Sequence, residues 1–392
     1  MKKLKSLFFL ISAMVLIIIL GLQISAKAES LTPRVYLNEK IIEFDVSPYI
    51  ENGRTFIPVR AVSESLKYNV LWNEEDFSVK IDDGIKTITL YIGKNEYVDS
   101  GEIKVSDVAP VIISGRTFVP LRLVSESFGC NVDWNMDEYA VYLKSHKTVE
   151  AKDATELLAA VANDTRILLT GDEYNLSQVD FSKINNPYIK PGEYCEKEIV
   201  ISSVQNLIIE GKEGCDTQLV TEEAYANVLC FDDCKKIGLV NFTAGHKVEK
   251  GSCIGGVIRF YNSKNSYIEN CRLYGCGTYG VTGEYVNNIN VYNTEIYECS
   301  YGAISFYLSR DIVFDKCIFR DCAEYDIFGF SDCTNINVNN SLIKNNKSSE
   351  WFALINSINS DGIKFNDCIF DSNTAVNFSI GDGIEINNCT IK

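Results

Sequence analysis

The 392 residues include only two histidines and seven prolines, and no Cys-x-x-Cys pair among 14 cysteines. His146 and His246 are too few to build a three-histidine metal centre. Without a Cys-x-x-Cys pair the cysteines do not read as a zinc site. So few prolines, in a composition 46% hydrophobic and 23% charged, argue against long disordered tracts. Basic residues are scarce too: 37 Lys and Arg stand against 53 Asp and Glu, for a formal net charge of −16. A chain this acidic repels phosphate backbones and anionic lipid surfaces, so nucleic acid is a poor partner. An anionic polymer such as pectate would need a bridging cation.

The length exceeds what one core usually supports, so two domains are expected. The first residues read as an address. Lys2, Lys3 and Lys5 precede an apolar run from Leu7 to Leu22, and Ala26-Lys27-Ala28 supplies a small-x-small cleavage pattern. The expectation is a signal peptide over residues 1–28, with an uncleaved anchor as the alternative. Cleavage removes four lysines, shifting the formal charge to −20, and leaves no membrane span. No cysteine lies near the cleavage point, which argues against a lipoprotein.

Two segments then repeat 62 residues apart. Gly53-Arg54-Thr55-Phe56-Ile57-Pro58-Val59-Arg60 returns as Gly115-Arg116-Thr117-Phe118-Val119-Pro120-Leu121-Arg122. Ser63-Glu64-Ser65 returns as Ser125-Glu126-Ser127, and Asn69-Val70 with Trp72-Asn73 as Asn131-Val132 with Trp134-Asn135. Each copy reads as strand, short helix, strand, with the proline in the first helical turn. Val59, Val62 and Leu66, like Leu121, Val124 and Phe128, fall at helical spacing. The indoles are expected to be buried, and the repeated arginines to tie the two copies together. This doubled pattern, over residues 33–145, resembles the copper amine oxidase N-terminal-like domain, a stalk module of exported Gram-positive proteins. The resemblance implies a duplicated α+β module and a cell-surface location, and the oxidase chemistry does not come with it. That chemistry needs a three-histidine copper site and a tyrosine in an Asn-Tyr-(Asp/Glu) context, and neither is present.

After a polar joint at His146–Asp153, Asp153 is a good N-cap for a helix through Leu157, Leu158 and Val161. A strand follows at Ile167-Leu168-Leu169, with a turn at Gly171. From residue 266 the sequence aligns in rows: 266–288, 289–311, 312–335, 336–362, 363–383 and 384–392. Two looser rows, roughly 206–235 and 236–265, precede them. The third position reads Ile268, Val291, Phe314, Val338, Phe365, Ile386; the eighth reads Leu273, Ile296, Phe319, Ile343, Phe370, Ile391. A period of twenty-odd residues with apolar side chains in file is that of a solenoid coil. The sixth position holds Cys271, Thr294, Cys317, Ser341, Cys368 and Cys389; the eleventh holds Cys276, Cys299, Cys322, Asn346 and Asn373. Small residues in file are expected to fill tight corners, with cysteine serving as a reduced, packed thiol. Cys230 and Cys234 are the candidates for an exception. The pattern resembles the right-handed parallel β-helix shared by pectate lyases and polygalacturonases, over residues 150–392, mainly β, with the helix at Asp153 capping its first coil.

One scaffold hosts many functions, so activity has to be read from residues. Polygalacturonases carry Asn-Thr-Asp, Asp-Asp, Gly-His-Gly and Arg-x-Lys in that order. Asp232-Asp233, Gly245-His246-Lys247 and Arg259 match this only in part, and His246 reads as a solvated loop residue. Register places Arg272 beside Glu295 as a cross-strand ion pair. Glu298 and Asp321 share position ten of adjacent coils, a spacing of about 5 Å. Such a pair suits acid/base work or a Ca²⁺ ion. Arg320 adjoins it, and Tyr274 with Tyr297 could form an aromatic sugar-binding surface. A solvated acidic turn is the plain alternative. A second file, Tyr279, Tyr301, Tyr325 and Trp351, reads as core. No cofactor is expected beyond Ca²⁺ at Glu298 and Asp321. Three readings stand: an envelope protein that binds polysaccharide or another surface component without turnover; a polysaccharide lyase or glycoside hydrolase acting on an acidic glycan through Glu298, Asp321 and Arg320; and a structural spacer or adhesin.

Overall fold

A computed structural model describes residues 32–392, except 84–85, 100, 194, 213–215, 249–252 and 276. The expected signal peptide and Cys276 lie outside the described residues. Two compact units result: one runs to Phe128 and adds Val132–Leu143, the other joins Gly129–Asn131 to Lys144–Lys392.

In the first unit each copy folds as its sequence implies. Strand Arg54–Pro58, helix α1 (Val59–Ser65) and strand Asn69–Asn73 are repeated by Arg116–Pro120, α2 (Leu121–Ser127) and Asn131–Asn135. Both prolines end their strand and serve as the helix N-cap, with ψ near 114° and 118°, rather than lying in the first helical turn. The copies join antiparallel, Val119 opposite Ile57, so that the apolar faces of both helices meet one core. The arginines cross over. Arg54 donates to Asp107 (Nε–Oδ2 2.8 Å) and Arg116 to Asp45 (2.7 Å), each partner lying nine residues before the other copy's arginine. Both pairs are about half exposed, so they fix register more than they add stability. Trp134 is partly buried against the core, but Trp72 is 37% exposed, against expectation. Its strand is the edge of a five-stranded sheet, where cover is incomplete.

The second unit winds into three flanks of ten, nine and nine strands among the described residues, parallel except for one strand at the start of the third. The first flank contains Lys264–Glu269, the second Arg272–Tyr274 and the third Ile258–Tyr261. Residue registers follow the rows of the sequence. Ile268, Val291, Phe314, Val338, Phe365 and Ile386 pair in succession, as do Leu273, Ile296, Phe319, Ile343, Phe370 and Ile391. The earlier rows begin at Leu207 and Ile237, one residue later than the sequence suggests. A further coil opens with the strand Thr165–Leu169, which the sequence shows at residues 167–169, but it does not align as a row, because a long excursion with an antiparallel strand, Ile189–Pro191, separates its flanks. Helix α3 (Ala154–Ala160) closes the start as expected. Asp153 accepts from the Glu156 amide at 2.9 Å, Glu156 accepts from the Lys152 amide at 3.0 Å, and Leu157 and Leu158 enter the core.

Corners explain the small-residue files. Each turn uses a left-handed residue, chiefly Asn or Asp: Asn270, Asn293, Asn340, Asp367 and Asn388 at the first corner have φ between 49° and 55° except Asn293 at 46°. The next residue points inward, and its polar atom accepts from the backbone amide of the coil before. Thr294 accepts from the Cys271 amide (3.3 Å), Ser341 from Cys317 (3.0 Å) and Asn346 from Cys322 (3.0 Å). The hydroxyls and amides thus satisfy buried N–H groups that no strand reaches. A third such file, Cys234, Ser263, Ser309, Cys333 and Ser360, does the same at the third corner, for instance Ser263 to the Cys234 amide (3.0 Å) and Ser360 to Cys333 (2.9 Å). The twelve described cysteines form no disulfide with one another, Cys230 and Cys234 included. Burial pushes the thiols of Cys271, Cys317 and Cys368 up to about 12, so they remain protonated packing groups.

Candidate functional site

The outer face of the second flank holds the residues singled out by sequence. Strands there are three residues long between two fixed corners, so the register is rigid. Arg272 lies opposite Glu295, and Tyr274, Tyr297 and Arg320 follow one another up the file. Glu295 is gripped from both sides: Arg272 Nε reaches Oε2 at 2.9 Å and Arg320 Nε reaches Oε1 at 2.5 Å. Burial alone would raise the Glu295 pKa, but the two arginines outweigh it and hold the carboxyl below its ordinary value. Burial likewise works against the charge of Arg320, yet its hydrogen bonds to Asp321 and Glu295 leave its pKa raised. Neither group is poised to exchange a proton near neutral pH.

Glu298 and Asp321 do occupy equivalent positions, both left-handed at the second corner (φ 59° and 56°). Their side chains differ in what they touch. Arg320 Nη1 donates to Asp321 Oδ2 at 2.7 Å, whereas Glu298 is exposed and has no side-chain partner among the described residues. A Ca²⁺ ion takes six to eight oxygens. Among the described residues no group of three or more His, Cys, Asp or Glu could hold a metal ion. The tyrosine surface is also internally used. Tyr297 stacks on Tyr274 (centroids 5.7 Å apart, 24° between planes) and carries Arg320 4.1 Å from its ring centre. With Tyr274 lying over Gly245, where a Cβ would come within 2.6 Å of the ring, little ring face is left for a sugar.

His246 is not a solvated loop residue. It ends the strand Thr243–His246, is 3% exposed, and its Nε2 lies 2.9 Å from the Ala226 carbonyl. Burial lowers its pKa. Tyr279, Tyr301 and Tyr325 form a half-buried surface file, not core: Tyr301 and Tyr325 centroids are 4.2 Å apart. Phe352 continues that file at 4.5 Å from Tyr325, and Trp351 is left 80% exposed, because the turn at residue 350 swings the indole outward.

The third flank presents a different surface, which sequence reasoning missed. Thr282, Ser305 and Gly329 follow one another as an outward file of small residues. Beside it run Tyr261, Glu284, Tyr307 and Ser331. At the corner that ends these strands the left-handed residue is Asp233, Asn262, Asp332 or Asn359 in four coils and Ser203 in a fifth, but Tyr285 (φ 55°) and Leu308 (φ 48°) in two. A bulky side chain in that conformation costs roughly 1–2 kcal/mol. Nothing in the core repays it, for Tyr285, Tyr307 and Leu308 are 48%, 43% and 40% exposed. The three rings meet edge to face, Tyr261–Tyr285 at 5.7 Å and Tyr285–Tyr307 at 6.1 Å, an arrangement that leaves ring faces open. Arg259 sits 5.5 Å from the centre of the Tyr261 ring and 3.8 Å from Glu284. The signal in the sequence was aromatic and aliphatic residues where neighbouring rows carry Asn or Asp.

Comparison with known proteins agrees with the two units. Residues 36–143 match the copper amine oxidase N-terminal domain, and residues 241–391 match the right handed beta helix region. The first match falls in the first unit, Gly129–Asn131 apart, and the second in the second unit. A protease inhibitor from Brevibacillus choshinensis is 28% identical over 85 residues, covering 22% of this chain; the chain spans about a quarter (26%) of that relative's length. Among solved structures, the β-helix resembles a pectate lyase from Xanthomonas campestris (12% identity, TM-score 0.39, covering 63% of this chain and 80% of that one). It also resembles a polygalacturonase from Erwinia carotovora (11%, 0.38, 63% and 93%) and a surface adhesin of Streptococcus pneumoniae (12%, 0.37, 63% and 81%).

Proposed function

We propose that the protein is an exported, surface-associated binder whose β-helix holds a polysaccharide along its third flank without turning it over. The observation that carries this reading is the pair of left-handed corners at Tyr285 and Leu308, where strain is accepted to keep large apolar side chains in solvent. Aromatic rings set edge to face, one per coil, offer apolar ring faces to the C–H faces of sugar rings. The adjoining hydroxyls of Thr282 and Ser305 can take sugar hydroxyls. The flank is exposed along its length, so it suits a polymer better than a small molecule. The net charge of −16 favours neutral glycans over polyuronates.

Two further features support binding over catalysis. On the second flank Arg320 and Glu295 are each locked in their charged form by ion pairs, which suits neither a lyase base nor a hydrolase acid. The two histidines are 3% exposed (His246) and held near pKa 4 by burial (His146), so copper oxidase chemistry is not part of this proposal. Incubating the protein on an array of cell-wall and plant glycans is expected to show saturable binding to a neutral polysaccharide and no released product. Binding to none of them, or release of shortened or unsaturated sugars, would overturn the reading.

A further inference from the structure

The two copies of the N-terminal domain have diverged at one place. In the second copy Arg122 is paired with Glu126 at 3.2 Å and Trp134 packs against the core; the edge contact of the indole with the ring five residues on is common to both copies, Trp134–Tyr139 at 5.2 Å and Trp72–Phe77 at 6.3 Å. In the first copy the equivalent Arg60 and Glu64 have the same spacing, but neither side chain has a partner among the described residues, and Trp72 is 37% exposed. Glu43 stands where the second copy has Val105. These four residues line a cavity of about 700 Å³, with Val59 and Val79 in its apolar lining. Arg116 and Asp45 border it as well, but they neutralise each other.

A cavity of this volume falls within the usual range for small ligands. Its chemistry is dipolar. Arg60 offers an uncommitted guanidinium whose planar fork suits a carboxylate, Glu43 and Glu64 offer uncommitted carboxylates to an ammonium group, and Trp72 offers a ring face to apolar or cationic chain. An exposed Arg60–Glu64 pair four residues apart would be worth only about 0.3–0.5 kcal/mol, too little to resist a ligand. We propose that the first copy binds a short peptide through both of its termini, the C-terminal carboxylate on Arg60 and the amine on Glu43 and Glu64, with a side chain on Trp72. The second copy lacks these features: its arginine is paired, its indole is packed, and Val105 stands at the position of Glu43.

The test titrates the purified protein with the tripeptide Ala-Lys-Ala in three forms: free, N-acetylated and C-amidated, by calorimetry and tryptophan fluorescence. Saturable binding of the free form is expected, weakened at least tenfold by blocking either end. Arg60→Gln is expected to weaken it at least tenfold, and Trp72→Phe to remove the fluorescence change, both with the melting temperature unchanged. As a control, Arg122→Gln leaves binding intact. No saturable binding of the free peptide, or equal binding of the blocked forms or of R60Q, would overturn the proposal.

Discussion

Phe319→Ala is expected to destabilise the β-helix by about 3–5 kcal/mol. Phe319 is fully buried and sits in an internal file of rings, edge to face with Phe314 at 5.7 Å and Phe328 at 4.8 Å. The ring cluster continues through Phe365 and Phe370, so it ties the coil at 312–335 to the coil at 363–383. Truncation removes buried apolar area and leaves a cavity that rigid, hydrogen-bonded flanks cannot close. Because coils contact chiefly their neighbours, the loss is concentrated in the coils around residue 319. Denaturant unfolding should then show a lowered midpoint and a less cooperative transition, with Phe319→Leu much milder. A loss under 1 kcal/mol would mean that the rings do not pack as described.

The second large effect is at a corner. Asn346→Ala is expected to cost on the order of 2–4 kcal/mol, since an unpaired buried polar group costs about 1–3 kcal/mol. Asn346 is 1% exposed; its Oδ1 accepts from the Cys322 amide at 3.0 Å, and its Nδ2 donates to the Phe319 carbonyl at 3.0 Å and to Asn373 Oδ1 at 2.9 Å. Alanine takes the side-chain partner from the buried Cys322 amide and removes one bond to the Phe319 carbonyl. Asn373→Ala removes similar bonds, including one to the Ile343 carbonyl at 2.8 Å, but at a half-buried site where water can substitute. Thermal melts should therefore rank Asn346→Ala well below Asn373→Ala. The reverse order would show that the corner amides are not what satisfies the backbone.

These two residues also mark how far the sequence could be read. Phe319 and Asn346 were visible as members of files because the stretch from the first flank through the second, corner to corner, keeps a constant length from coil to coil. The third flank was not visible, because coils differ in length between the second corner and the third, which hides the register of Tyr261, Tyr285 and Tyr307. The chemistry was legible only as far as register. Glu298 and Asp321 do share a position, but periodicity says nothing of where a neighbouring guanidinium points, and Arg320 had already taken Asp321. The buried environment of His246 was hidden for a related reason: its partner, Ala226, lies in a loop with no periodic pattern. Within the N-terminal domain the repeat gave the crossed arginines away, while the difference between Trp72 and Trp134 depends on local packing that identical residues conceal.

The functional account turns on Tyr285 and Leu308, and it makes stability and binding move in opposite directions. Replacing both by asparagine restores the residue type used at that corner by Asn262 and Asn359 and removes roughly 1–2 kcal/mol of strain at each site. The decisive measurement compares this double variant with the unaltered protein, in melting temperature and in affinity for the polysaccharide found on the array. A higher melting temperature with affinity reduced at least tenfold is the predicted result. Unchanged affinity, or a loss of binding caused instead by Tyr274→Ala with Tyr297→Ala on the second flank, would contradict the assignment of binding to the third flank.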